Sequence, residues 1–179
     1  MERKLRDLSQ LQREGDALLA SQIAGIKDGA AKVVLFGAGE AGQLVKRFLH
    51  DHGVFPEFFT DNFTDLWHTE VDGIQVVPPS FLQKMGKVLV IICSWDLDGI
   101  ASQLLRMNIT SYDESLYVKL ISLQRRGLYS DNIAHISDLA GQLADDRSRQ
   151  VLFGLVEHAF SLGDEMLKQI FDPDQYFID

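Results

Sequence analysis

"KVVLFGAGEAGQLVKRFLHDHG", from Lys32 to Gly53, is the stretch of sequence that decides the fold. The four apolar residues 33–36 run directly into a G-x-G-x-x-G turn, and an amphipathic segment follows the turn. An unbroken apolar run is typical of a strand covered on both faces of a sheet, and the amphipathic spacing predicts a helix over residues 40–52. The stretch therefore predicts a strand, a tight glycine turn and a helix in direct succession.

Each glycine of this turn has its own physical role. Gly37 permits the sharp strand-to-helix turn, Gly39 lets the backbone approach a phosphate, and Gly42 lets the helix pack close to the strand. Backbone N–H groups at the start of the helix then face the anion. The carboxylate of Asp61 follows the second predicted strand, where it is placed to accept hydrogen bonds from ribose hydroxyls. The pattern therefore predicts a nucleotide-binding turn.

The candidate cofactor-binding residues come from the turn, from the end of the second strand and from the end of the most hydrophobic strand. They are Gly37, Ala38, Gly39, Glu40, Ala41, Gly42, Asp61, Asn62, Ser94 and Trp95. We expect the phosphate over the N–H groups of residues 39–42, the ribose against Asp61, and the base near Ser94 and Trp95. The ligands that this pattern favours are NAD and a nucleotide-sugar. Because Glu40 repels a phosphate lying directly on the helix axis, the phosphate is predicted to sit to one side or to be absent.

Strands and helices alternate along the middle of the chain. Strands are predicted at 33–36, 55–60, 74–77, 88–93 and 109–112, and helices at 40–52, 80–85 and 96–107. Ser80 is the predicted cap of the second of these helices. The alternation predicts an α/β fold, a Rossmann-like doubly wound parallel sheet of about five strands in the order 3-2-1-4-5, with helices on both faces.

Helical patterns flank this region at both ends. An N-terminal helix is predicted over residues 1–27, a helix that ends at Gly127 follows the last strand, and "YSDNIAHIS" is predicted to be a loop. A further helix follows "DDRSR", and a short one covers 164–171. The predicted domains are an N-terminal helix (1–29), a nucleotide-binding domain (30–112) and a helical appendage (113–179). The apolar faces of the appendage exceed what one helix hides, so we expect it to pack on the sheet domain, on the N-terminal helix or on something after Asp179, and a homo-oligomer is a further possible partner.

Two parts of the chain resemble known families. "VVLFGAGEAGQLV", "FFTDN", "DGIQVVPPSFL" and "VLVIICS" are similar to the Rossmann-type domain at the front of nucleotide-sugar processing enzymes. "LADDRSRQVLFGLVEHAFSLGDEMLKQIFDPDQYF" resembles the linker ahead of the catalytic domain in FkbM-type methyltransferases, through the Asp-Asp-x-Ser-Arg start at 145–149 and the Gln-Tyr-Phe at 175–177. This resemblance implies that the methyltransferase domain, which would bind S-adenosylmethionine, follows Asp179 and is the partner of this chain. The chain alone is then expected to bind a nucleotide without catalysing a reaction.

Two alternatives stay open at this point. The chain could be a structural or oligomerisation module whose glycine turn survives for packing, or the NAD-binding domain of a sugar-modifying oxidoreductase. The three glycines serve both turn and packing, so they do not separate these alternatives. No Tyr-x-x-x-Lys motif, catalytic triad or metal-ligand spacing is present in the sequence, and His50 and His52 are explained by the helix dipole.

Composition excludes several functional classes. The net charge of −9, from 17 Lys and Arg against 26 Asp and Glu, disfavours nucleic acid as a partner. No apolar run reaches the length of about 20 residues that a membrane helix needs, and the N-terminus lacks the apolar core of a secretory signal. The single cysteine, Cys93, excludes an internal disulfide. We therefore expect a cytoplasmic protein.

Overall fold

The computed structural model describes residues 5–29 and 31–163. The chain divides into two compact units. The sheet unit is Gln22–Leu120, and the helical unit combines Met1–Ser21 with Ile121–Asp179. The functional division expected from the sequence, with boundaries after residues 29 and 112, stays a prediction.

Six helices and six strands are found within the described residues. In chain order they are α1 (Leu8–Asp28), β1 (Lys32–Phe36), α2 (Glu40–Asp51), β2 (Phe58–Thr60), β3 (Glu70–Val71), β4 (Ile74–Val77), β5 (Val88–Ile92), α3 (Leu97–Arg106), β6 (Tyr112–Asp113), α4 (Leu116–Asp131), α5 (Ile133–Gln142) and α6 (Asp146–Ser161). Short 3₁₀ helices cover Thr64–Leu66 and Pro79–Lys84.

The strands form one sheet in the order β3-β4-β2-β1-β5-β6. All neighbouring pairs are parallel except β3 and β4, which are antiparallel. The α/β, Rossmann-like class is therefore confirmed, and the five predicted strands keep the order 3-2-1-4-5. The prediction missed the edge strand β3. Asp72 and Gly73 take left-handed backbone angles (φ 52° and 80°) and fold this two-residue strand back onto β4.

The prediction also misplaced the ends of two strands. β2 begins at Phe58 and not at residue 55, because Pro56 has no N–H group to give to the strand ladder. β6 is reduced to Tyr112–Asp113, because the N–H group of Ile109 closes the end of α3 by donating to the carbonyl oxygen of Leu104 at 2.9 Å. The proline therefore shortens β2, and the closing hydrogen bond of α3 shortens β6.

The expected capping role of Ser80 is wrong. The 3₁₀ helix there begins one residue earlier, at Pro79, and Pro78 precedes it without a side-chain cap. Proline is suited to the first helical position because its fixed φ matches the helix and its missing N–H group would be unpaired there.

Helices cover both faces of the sheet. On one face, residues of β1, β5 and α3 form a buried cluster that includes Val34, Phe36, Val90, Ile92, Ile100 and Leu104. On the other face, α2 lies so close to the sheet that a side chain at Gly42 would contact the ring of Phe59. The sheet is doubly wound, as the alternating pattern predicts.

The helical unit has a core of its own. Leu11 of α1, Ile136 of α5 and Val156, Ala159 and Phe160 of α6 form its buried cluster. Within the described residues, no helix is both long and apolar enough to cross a bilayer.

One element of the helical unit differs from the prediction. The predicted loop after Gly127 is helical, since α4 continues to Asp131 and α5 begins at Ile133. Glycine within a helix costs about 1 kcal/mol. The guanidinium of Arg126 donates to the carbonyl oxygens of Ala159 and Phe160, at 3.1 and 2.9 Å, and these contacts stabilise the helix through the glycine. The predicted helix over 164–171 and the Gln-Tyr-Phe segment lie outside the described residues.

Candidate functional site

The candidate site lies at the carboxyl edge of the sheet. β1 lies between β2 and β5, and all three are parallel, so the residues after each strand come together at this edge. The order of the chain reverses between β1 and β5, which makes this point a topological switch. Ligands of doubly wound sheets bind in the crevice at such a point.

Gly37 makes the turn out of β1 possible. Its φ of +113° is strained for any residue with a side chain. A Cβ atom there would also lie 2.6 Å from the carbonyl oxygen of Cys93, which is too close. The N–H group of Gly37 donates to the carbonyl oxygen of Thr60 at 2.7 Å. Backbone conformation and packing together account for this glycine.

Gly42 is required for the packing of α2 on the sheet. A Cβ atom at this position would overlap the carbonyl oxygen of Gly37 and would lie 2.9 Å from the ring of Phe59. The overlap with a backbone oxygen can only be relieved by moving the helix. Packing accounts for this second glycine.

Gly39 differs from the other two glycines. Its φ of −79° and ψ of −162° are extended backbone that any residue adopts. A Cβ atom there would meet no other atom within 4 Å, and the residue is exposed. Neither conformation nor packing within the described residues explains why this position has no side chain. The space that a side chain would occupy is open to solvent or to a ligand.

The open donors of the site are the backbone N–H groups that follow Ala38. Gly39 is the cap of α2 and gives no side-chain hydrogen bond to the helix. Among the described residues, no acceptor is found for the N–H groups of residues 39–42. The first N–H group of the helix that has an acceptor is that of Gln43, which donates to the carbonyl oxygen of Gly39 at 3.1 Å. Unpaired donors at the positive end of a helix dipole are suited to a phosphate.

Asp61 is firmly held beside the turn. Its carboxylate accepts the N–H group of Ala38 at 2.8 Å and that of Phe63 at 2.9 Å. Its carbonyl oxygen accepts the indole N–H group of Trp67 at 2.7 Å. The expected neighbour of a ribose is therefore also a contact of the glycine turn, which the sequence analysis did not foresee.

Asn62 pairs with a residue that the sequence analysis missed. Its side-chain amide exchanges two hydrogen bonds, both of 2.9 Å, with the amide of Gln103 in α3. Asn62 and the neighbouring Phe63 are exposed, and Gln103 is half-buried. Gln103 is 41 positions from Asn62 in the sequence, and only the fold brings the two together. No local signal points to Gln103.

The residues after β5 supply an exposed aromatic ring. The side chain of Trp95 is 68 % exposed and contacts the ring of Tyr117 edge-on, with 5.3 Å between centroids. The hydroxyl of Ser94 accepts the N–H group of Asp96 at 3.2 Å, and Asp96 in turn caps α3 by accepting the N–H group of Gly99. Trp95 is thus available for stacking, while Ser94 also serves the backbone of its own loop.

Two groups close to the site have structural explanations. Cys93 is buried, and burial raises the pKa of its thiol well above the ordinary range, so the thiol stays protonated and inert. The ammonium of Lys46 in α2 pairs with the carboxylate of Asp72 at 2.8 Å and also donates to the carbonyl oxygen of Asp72. The hydrogen bond from Lys46 lowers the pKa of the Asp72 carboxyl. The charge of Lys46 is therefore directed at the turn between β3 and β4.

The glycine turn contains no basic side chain, and Glu40 is exposed at its edge. An anion at this site would be held by backbone donors and the helix dipole. Within the part of the chain that the structure describes, no group of three or more His, Cys, Asp or Glu side chains could hold a metal ion.

The fold and this edge define a Rossmann-like domain. No profile of a known protein family matches the sequence, and no curated protein matches it. Several solved structures do. A UDP-D-quinovosamine 4-dehydrogenase from Vibrio fischeri is 25 % identical over 44 % of this chain and 73 % of its own length, with a TM-score of 0.37.

Two further structures match longer parts of the chain. A protein named RSP, solved with β-NAD⁺ and operator DNA, is 14 % identical over 64 % of this chain and 63 % of its own, with a TM-score of 0.42. The methyltransferase FkbM from Methylobacillus flagellatus KT is 15 % identical over 90 % of this chain, with a TM-score of 0.49, and the match spans half of that methyltransferase. These neighbours include both classes that the sequence resembles.

Proposed function

We propose that this chain binds the nucleotide part of NAD or of a nucleotide-sugar at the carboxyl edge of its sheet. The observation that carries the proposal is the contrast among the three glycines. Gly37 and Gly42 are explained by backbone conformation and packing, whereas Gly39 is not. A turn kept only for architecture needs the first two glycines. The third is needed where a phosphate approaches the backbone.

The arrangement of the ligand follows from the open groups of the site. The phosphate lies over the N–H groups of residues 39–42, and the ribose lies beside Asp61. The base lies near Trp95, Ser94 and Asn62, where an exposed aromatic ring offers a stacking surface. The negative charge of Glu40 moves the phosphate off the axis of α2.

The proposed context is the N-terminal part of an FkbM-like methyltransferase. Support comes from the sequence segments that resemble the front domain of nucleotide-sugar enzymes and the linker of FkbM-type proteins. In this proposal the present chain binds a nucleotide without catalysis, and a catalytic domain that uses S-adenosylmethionine is its partner.

The test is a calorimetric titration of residues 1–179 with NAD⁺, UDP-sugars and S-adenosylmethionine. We expect NAD⁺ or a UDP-sugar to bind to the wild type and not to Gly39→Val, whose side chain fills the open space over the turn. Gly25→Val is the matched control, because a Cβ atom at Gly25 also meets no atom within 4 Å but lies in α1. If no nucleotide binds to the wild type, or if Gly39→Val binds equally well, the turn has an architectural role only.

A further inference from the structure

The carboxylate of Asp61 joins the end of β2 to the glycine turn. Two hydrogen bonds connect these segments, from Gly37 to the carbonyl oxygen of Thr60 at 2.7 Å and from Ala38 to the carboxylate of Asp61 at 2.8 Å. The first bond is between backbone atoms and is available to any sequence. The second depends on the side chain of Asp61.

The N–H group of Ala38 depends on this carboxylate. Ala38 is 3 % exposed, so water has little access to its backbone. A buried N–H group that loses its acceptor destabilises the conformation that keeps it buried. The residue next in the chain, Gly39, begins the row of open donors. The carboxylate therefore fixes the backbone at the point from which the phosphate-facing donors start.

Asp61 is itself held in place by its own loop. Its other carboxylate oxygen accepts the N–H group of Phe63 at 2.9 Å, and its carbonyl oxygen accepts the indole of Trp67 at 2.7 Å. Both carboxylate oxygens thus already have a backbone donor. A negative charge so close to the turn also opposes the binding of a phosphate. Alignment of the turn accounts for both of these carboxylate hydrogen bonds.

We propose that Asp61 is a positioning residue, which acts on the ligand by aligning the phosphate-binding turn and not by hydrogen bonds to the ribose hydroxyls. The inference rests on the proposed nucleotide binding, which it refines. In this proposal Asp61 raises the affinity by aligning the backbone donors that bind the phosphate. Ligands with and without a ribose 2′-hydroxyl should then depend on Asp61 equally.

The first arm of the test uses the protein without ligand. Hydrogen exchange of the Ala38 amide should be faster in Asp61→Ala than in the wild type by roughly tenfold or more, the factor that corresponds to a lost buried hydrogen bond. Asp61→Asn keeps one acceptor oxygen and should give an intermediate rate. Asp65→Ala is the matched control: it removes the same charge from the same loop, where the bond that Asp65 accepts within the described residues is a long one from the hydroxyl of Thr64. Unchanged exchange in Asp61→Ala would overturn the proposal.

The second arm is a double-mutant cycle between protein and ligand. NAD⁺ or UDP, whichever binds to the wild type, is titrated beside its 2′-deoxy counterpart (adenosine ribose in NAD⁺) into wild type and Asp61→Asn. We expect Asp61→Asn to lower the affinity for both ligands by the same factor. The affinity lost on removing the 2′-hydroxyl is then equal in the two proteins. If that loss disappears in Asp61→Asn, Asp61 binds the ribose directly and the proposal is wrong. If neither NAD⁺ nor UDP binds to the wild type, the proposed function fails, and the exchange arm still decides whether Asp61 holds the turn.

Discussion

The N-termini of α2 and α6 differ in how their backbone donors are satisfied. α6 begins after Asp145, whose carboxylate accepts the N–H group of Ser148 at 2.7 Å and its hydroxyl at 2.8 Å. α2 begins after Gly39, which has no side chain to give such a bond. Capping by Asp is worth more to a helix than capping by Gly. The comparison teaches that helix stability alone does not explain the start of α2, which is the helix end where we propose that a phosphate binds.

Gly42→Val tests the packing side of this comparison and should have the largest effect. The new side chain overlaps the carbonyl oxygen of Gly37 and the ring of Phe59, so α2 has to move away from the sheet. We expect a loss of about 3 kcal/mol or more in the free energy of unfolding, measured by urea denaturation. A loss below 0.5 kcal/mol would show that α2 is not packed as described.

Gly39→Asp converts the start of α2 into a copy of the start of α6. The carboxylate caps the helix and repels a phosphate, so ligand affinity should fall by at least about tenfold while the Tm stays equal or rises. Calorimetry and a melting curve on the same sample give both values. A variant that is both capped and fully able to bind would show that the phosphate does not use this helix end.

Asp145→Ala removes the cap from α6. The N–H group and the hydroxyl of Ser148 both lose their acceptor, so the Tm should fall by roughly 2–4 °C. Asp145→Ser keeps a capping oxygen and should recover most of this loss. Ligand affinity should be the same in both variants, because Asp145 lies outside the proposed site. Equal melting of the Ala and Ser variants would argue against the cap.

The contribution of this cap should also depend on pH. The hydrogen bond from the Ser148 backbone lowers the pKa of the Asp145 carboxyl. A lowered pKa in the folded state stabilises the protein above the ordinary Asp value of about 3.9, and this stability is lost as the pH falls through the lower folded value. The Tm difference between wild type and Asp145→Ala should therefore be constant from pH 7 to about 5 and shrink below about 4. A constant difference down to pH 3 would contradict this.

The sequence predicted what local pattern determines. The strand, turn and helix over residues 32–51 follow from the apolar run, the glycine spacing and the amphipathic period, and the structure has them there. The parallel sheet follows from the alternation of elements. The edge strand β3 was missed because two residues are too few to show a hydrophobic period. The predicted end of α4 at Gly127 was too early, because glycine disfavours a helix but the contacts of Arg126 stabilise it there.

At the candidate site, the local sequence pattern predicts only part of the arrangement. The conformation of Gly37 and the close packing of Gly42 were predictable, since the motif implies them. The hydrogen bond from Ala38 to Asp61 and the pair formed by Asn62 and Gln103 join residues 23 and 41 positions apart. Contacts at such separations depend on how α3 and the β2 loop pack, which no local window encodes.

The smallest effect on stability is expected from Gln103→Ala, which removes the partner of Asn62. Both hydrogen bonds of the amide pair are exposed, so water replaces them, and the free energy of unfolding should change by less than about 0.5 kcal/mol. The affinity for a nucleotide should respond more strongly if the base lies against Asn62, because the amide then loses the partner that fixes its orientation. Urea denaturation and calorimetry with NAD⁺ and UDP on Gln103→Ala, with the neighbouring exposed Ser102→Ala in α3 as control, give the two values. Unchanged affinity in Gln103→Ala would indicate that the base lies near Trp95 and not against Asn62.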